Sequence, residues 1–411
     1  MEQDREKDSK KVSQSRRRVL KTGATLIGAG AVGGLAPAIV SAQDKPITIG
    51  YTQSRTGIFS PGSQEAQEPN YLMWAEQVNA AGGLNVQGKR RKIELQGYDD
   101  RSDVETARRT YEKLMVSDKV DLVLPPWGTD MNFPIAPLVN RYGYPVICPT
   151  AISQKLVNLK LPYVFCCIQQ ATTMMQALVA MLASQQVKSV TISYVDDSFG
   201  LENITALEPA LKAKGIKLLE KKSYNLGVKD LNPMLRAMKT HAPDAYIALT
   251  YPPDLFLITS QAKEINFSPR LMVTGVGTVF PIYRQRMGSA VEGVLGPASW
   301  SPKSNASAQA YFEAHVARFK KEPDAWGSGQ VWASLQILQR AVEQAGLDRK
   351  AIREHIAANE FDTIVGKVRF KGSEEAAIPG TYGQWQNGRF ELVWPPERKT
   401  AEMLVPKPAW S

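Results

Sequence analysis

Three groups of residues in this chain have the types and spacing for chemistry. Gly28, Gly30 and Gly33 form a G-x-G-x-x-G run, which cradles a dinucleotide pyrophosphate when a strand leads in and a helix leads out. Asp99 and Asp100 are adjacent carboxylates, the raw material of general acid–base catalysis. Cys148, Cys166 and Cys167, with His241, His315 and His355, are the potential metal ligands and nucleophiles.

Each group reads differently in context. The glycines follow polar, basic "SKKVSQSRRRVLK" and precede small residues ending at Val40-Ser41-Ala42, the layout of a secretory leader, so cleavage after Ala42 would remove them. Within that leader, Ser15-Arg16-Arg17-Arg18-Val19-Leu20-Lys21 resembles a twin-arginine export signal, with Val19 in place of the usual phenylalanine; a Sec leader is the alternative. No cysteine follows the cleavage site to carry a lipid, and no later apolar run reaches the 18 residues of a membrane span. A soluble protein outside the cytoplasm is expected. Asp99 and Asp100 end a strand before a helix, where capping and loop anchoring are the usual duties. An odd number of cysteines rules out a full disulfide framework, and neighbours on a strand point to opposite faces, so buried, inert thiols are expected. The histidines sit in charged, helix-like contexts without H-E-x-x-H or C-x-x-C spacing and read as surface residues. No G-x-S-x-G elbow or paired nucleophile and base follows Ala42. The sequence thus predicts no catalytic residues, no metal and no cofactor.

Charge excludes another class. Removing a leader with eight Lys or Arg and four Asp or Glu lowers the net charge from +10 to +6. No basic stripe marks a nucleic-acid partner.

The elements that must position any site follow from periodicity. From Ile47 onward, short apolar runs alternate with helical patterns, the signature of doubly wound parallel sheets, in a chain long enough for two cores. Strands are expected at 47–53, 91–98, 120–125 and 144–149, with helices over 64–80, 104–115 and 131–141. The strand at 163–168 leads to a second series: strands at 189–195, 217–224, 245–251, 270–275 and 293–299, with helices over 172–184, 201–213, 231–240, 255–264 and 282–286. Three consecutive helices, 306–321, 330–345 and 349–358, then return to the first lobe, and a hairpin turning at Asn387-Gly388 closes the fold. The reading is an α/β protein of two Rossmann-like lobes joined by a three-crossing hinge: 43–165 and 298–372 in lobe one, 166–297 and 373–411 in lobe two.

Five stretches in this order, "IGYTQSRTG", "VNAAGG", "YDDRSD", "PVICPTA" and "VDDSFG", resemble the periplasmic substrate-binding proteins of branched-chain amino-acid (Leu/Ile/Val-binding type) ABC transporters. The resemblance spans nearly all of residues 43–411. It implies the type I periplasmic binding protein fold, a periplasmic location and a monomer that closes over a small ligand and presents it to an inner-membrane ABC permease. It also places Thr129 and the backbone around Thr150 and Ala151 at the ligand carboxylate, and Phe199 and Tyr251 as aromatic covers. Independently, open α/β sheets bind ligands beyond the carboxyl ends of their strands, which adds Arg55 and Trp127. Arg55 has an alternative as an ion-pair partner of Asp99 or Asp100, and Thr129 as a helix cap.

Two departures bear on the ligand. Ile152 stands where the family has a hydroxyl, which Ser153 could supply after a one-residue slip. "GVGTV", residues 275–279, lacks the lobe-two carboxylate with which α-amino-acid binders hold the ammonium. Either Asp130 or Asp254 substitutes, or the ligand is a carboxylate without an ammonium; Trp127, Phe59 and Tyr251 favour a flat or apolar body. The expected function is capture of an amino acid or related carboxylate for an ABC importer. The alternatives are a ligand-sensing regulator with the same fold and a twin-arginine-exported enzyme.

Overall fold

Short apolar runs become parallel strands, and the central ones, such as Ile47–Gln53 and Ala245–Leu249, are buried along nearly their whole length. A computed structural model describes residues 45–410; the leader read over 1–42, with Gly28, Gly30 and Gly33, lies outside the described residues. Ile47–Gln53 pairs in parallel with Ile93–Asp99 on one side and Leu122–Val123 on the other. A second sheet joins Val146–Cys148 to Val164–Cys166 in parallel, then runs through Glu374–Glu375 to the antiparallel strands Gly366–Lys371 and Glu360–Thr363. One core containing Ile49, Tyr71, Trp74, Phe165, Leu335 and Ile352 unites these two sheets, and the three consecutive helices Ala306–Phe319, Gly327–Ala345 and Arg349–Ala358 pack into it. This is lobe one.

Lobe two is built on a seven-stranded sheet ordered Arg389–Trp394, Thr381–Gln386, Val294–Ala298, Leu271–Thr274, Ala245–Leu249, Ser189–Val195 and Lys217–Tyr224. The last five strands are parallel, and the first two form the closing hairpin, whose Asn387 and Gly388 take φ of 49° and 75° as a two-residue turn of this kind requires. The chain passes between the lobes after Val164–Cys166, after Val294–Ala298, and between Glu375 and Thr381, so Glu374–Glu375 still belongs to lobe one, beyond the 372 boundary read from the sequence.

Proline accounts for the main departures in element shape. The helix expected over 64–80 is instead a short turn, Ser60–Gly62, a π-helical segment, Ser63–Gln67, and the helix Glu68–Ala80. Pro69 has no N–H to give to a carbonyl four residues back, and the wider turn accommodates that loss. Similarly, the helix expected over 131–141 splits into Thr129–Asn132 and Ala136–Arg141 around Pro134 and Pro137. The hairpin of Leu84–Val86 with Lys89–Arg91 was not anticipated.

The three thiols are buried and free, with Cys148 and Cys166 in register on adjacent strands. Burial raises all three, Cys166 to about 12. His315 corrects the expectation that every histidine lies at the surface. It is buried on the same face of its helix as Ala308 and Tyr311, and burial lowers it to about 4.

Candidate functional site

Turns at the carboxyl ends of strands from both lobes meet around one cavity. Lobe one contributes Trp127, Gly128 and Thr129 after Leu122–Val123, Thr150 and Ile152 after Val146–Cys148, and Ala66 from the π-helical segment. Lobe two contributes Phe199 from the start of helix Ser198–Ala213, Tyr251 after Ala245–Leu249, and Val276 and Phe280 after Leu271–Thr274. Ile168 on the first crossing and Trp326 and Gly327 at the head of helix Gly327–Ala345 complete the lining. The free volume between these side chains is small, about 30 Å3.

The rings make the contact across the cleft. Tyr251 lies 5.2 Å from Phe199, 5.7 Å from Phe59 and 6.0 Å from Trp127, centroid to centroid, within the range of favourable aromatic pairs. Phe59 also packs on Trp127 at 5.9 Å. Gly62 lets the π-helical region lie against the indole, since a Cβ there would come within 2.1 Å of Trp127. Gly128, with φ of 95°, turns the chain into Thr129–Asn132.

Few polar groups face this cavity. Thr129 Oγ1 accepts from Ile152 N at 3.1 Å and reaches Ile152 O at 3.4 Å, so its hydroxyl braces one lobe-one turn against another. Thr150 Oγ1 accepts from Gly128 N at 3.0 Å. Trp326 is 5% exposed, and its Nε1–H is buried without an acceptor. Its position is fixed from below, because the buried Asp324 carboxylate accepts from the backbone N–H of Trp326, Gly327 and Ser328 at 2.9, 2.6 and 2.8 Å. Beside the cavity, Asp197 caps helix Ser198–Ala213 through Gly200 N at 2.8 Å, while its second oxygen is buried without a hydrogen bond. Burial, reinforced by the charge of Asp130 from lobe one, raises Asp197 to about 6. Burial and these two carboxylates push the Tyr251 phenol well above its ordinary value.

Trp127, Thr129, Thr150, Phe199 and Tyr251, all singled out from the sequence, line the same cavity. Ala151, Ser153 and Arg55 do not. Ala151 is fully buried in the lobe-one core. Ser153 caps helix Gln154–Asn158 through Leu156 N and donates to Glu202 of lobe two at 2.8 Å, so Ile152 rather than Ser153 faces the cavity. Arg55 pairs with Glu68 at 2.9 Å on a half-exposed surface, and Asp99 holds only its backbone N–H. Asp99 and Asp100 serve as loop anchors: Asp99 accepts from Thr56 and Arg101, and Asp100 from Thr52, Ser54 and Ser102. Asp254 accepts from Gly227 N with both oxygens at 3.2 Å. Sequence reasoning missed Trp326 and the role of Asp197; Asp324 placed three and four residues before Gly327 and Ser328, at the head of a long helix, was the available signal for the Trp326 turn. Among the described residues, no group of three or more His, Cys, Asp or Glu could hold a metal ion, and no helix is long and apolar enough to cross a membrane.

A family model described as periplasmic binding protein matches residues 46–388, and the chain belongs to that family. Its architecture is the type I periplasmic binding protein fold, and it is a binding protein rather than an enzyme. More particularly, it is similar to the leucine-, isoleucine-, valine-, threonine-, and alanine-binding protein of Pseudomonas aeruginosa, 25% identical over 312 residues that cover 74% of this chain and 81% of that one. Among solved structures, the branched-chain amino acid transporter substrate binding protein of Streptococcus pneumoniae in complex with isoleucine has a TM-score of 0.76 at 19% identity, covering 85% of this chain and 100% of that chain. A solute-binding protein of an ABC transporter from R. palustris in complex with benzoate has a TM-score of 0.76 at 17% identity, covering 89% and 97%.

Proposed function

We propose that this chain is the extracytoplasmic solute-binding component of an ABC importer, exported by the signal read at residues 15–21 and working in the periplasm as a soluble monomer without a lipid anchor. It captures a small amino acid or related carboxylate between its lobes and delivers it to a membrane permease. The observation that carries this reading is the cavity walled by Trp127 and Thr150 from lobe one and Phe199 and Tyr251 from lobe two, a layout that assembles only when the lobes meet. Isoleucine and benzoate, bound by two proteins of the same fold, represent the two ligand types under consideration.

Lobe-one polar groups take the ligand first, and the lobe-two aromatics complete the enclosure as the hinge closes. Thermal unfolding against a broad solute library tests the reading, because a ligand at 100 times its dissociation constant adds about 2.7 kcal/mol of stability. A library without any stabilising solute would overturn it. Given a hit, Tyr251→Ala is expected to weaken affinity about 100-fold through loss of a central aromatic anchor while leaving circular dichroism unchanged. Unchanged affinity would remove Tyr251 from the site.

A further inference from the structure

The few polar groups of this largely apolar cavity are donors, and no acid stands among its lining residues. Two lining residues carry a proton with no fixed acceptor, Trp326 and Thr150. The Trp326 Nε1–H is buried with no acceptor of its own. Thr150 Oγ1 accepts from Gly128, which leaves its proton to give. Tyr251, 4% exposed, also lines the cavity, but its hydroxyl is directed to the Asp197 carboxylate and is not a donor to the ligand. The nearby acids are placed otherwise. Asp254 shares the Gly227 N–H between its oxygens, and Asp130 and Asp197 lie outside the lining, Asp197 against the Tyr251 hydroxyl. Five of the lining side chains are aromatic, counting Trp127, Phe199, Tyr251, Phe280 and Trp326.

Resting on the binding-protein reading above, we infer that the ligand of this site is a monocarboxylic acid with a flat, apolar body and no α-ammonium group. An ammonium enclosed here would lose its water and find no carboxylate on the walls, an uncompensated buried charge. A carboxylate instead supplies the acceptor that the indole N–H lacks and gains charge-assisted hydrogen bonds. A planar body replaces ring-to-ring contacts in the cleft with contacts of the same kind, so the rings part to admit it without leaving a polar gap.

Calorimetry on the purified full chain with matched pairs tests this: phenylalanine against 3-phenylpropanoate, leucine against 4-methylpentanoate, and benzoate against benzamide. The acid of at least one amino-acid pair, or benzoate, is expected to bind at least about 100-fold more tightly than its counterpart, the cost of burying an unpaired charge or losing a charge-assisted bond. An amino acid that binds as tightly as its deaminated acid, or tighter, overturns the inference and assigns the ammonium to Asp197 or Asp130, with the binding-protein reading intact. Silence from every pair also overturns it, and the broad solute library then decides separately whether the binding-protein reading survives. A second measurement concerns the donor. Trp326→Phe keeps a ring but deletes the N–H, and is expected to weaken the bound acid about tenfold; unchanged affinity would show that the indole does not hold the carboxylate.

Discussion

Asp197 sits where two demands conflict. Its first oxygen is fixed as a helix cap, its second is buried, and the carboxylate faces both the charge of Asp130 and the hydroxyl of Tyr251. A carboxylate raised to about 6 binds its proton more tightly in the folded chain than in the unfolded one. Its contribution is therefore fully present below about pH 4 and lost as pH rises through about 6. Asparagine retains the cap without the charge, so Asp197→Asn is expected to gain on the order of 1 kcal/mol relative to wild type at pH 7.5 and nothing at pH 4. Urea unfolding at the two pH values measures this, and an equal effect at both would rule out the titration. Residues at the ends of well-patterned strands, such as Trp127 and Tyr251, were legible because the strand fixes where the next side chain emerges. Trp326 was not, since it reaches the cleft from a turn held by buried Asp324, a long-range placement that periodicity does not encode.

At the scale of elements, hydrophobic period gave the strands and the long helices closely, and it failed where backbone donors are missing. Pro69 turns the expected first helix partly into a π-helical segment, and that segment brings Ala66 to the cavity. The crossings depend on side chains distant in sequence. Arg398 donates to Ser299 O at 2.7 Å, Val365 O at 3.1 Å and Thr381 Oγ1 at 3.1 Å, so one guanidinium ties the second crossing to the exit of the third. Arg398→Ala leaves these acceptors without a donor and is expected to cost on the order of 3 kcal/mol. A chemical-denaturation midpoint equal to that of wild type would show that the crossings are held by their backbone alone.

At the scale of the molecule, the lobes touch through a polar clasp as well as through rings. Glu202, from lobe two, accepts from Ser153 Oγ at 2.8 Å and from the Gln154 and Lys155 N–H groups at 3.3 Å. These bonds exist only while the lobes are together, so Glu202→Ala is expected to speed amide exchange at Gln154 and Lys155 about tenfold and to shift the ligand-free protein towards the open form. Exchange rates like those of wild type would place the clasp outside the closing equilibrium. Such a motion needs a reporter, and the three native cysteines bear on its design. All are enclosed and held as protonated thiols, which react poorly because the thiolate is the nucleophile. The wild-type chain is thus a silent background for thiol-directed dyes: a cysteine introduced on each lobe's rim would carry the whole fluorescence signal, and opening and closing could be followed as a distance.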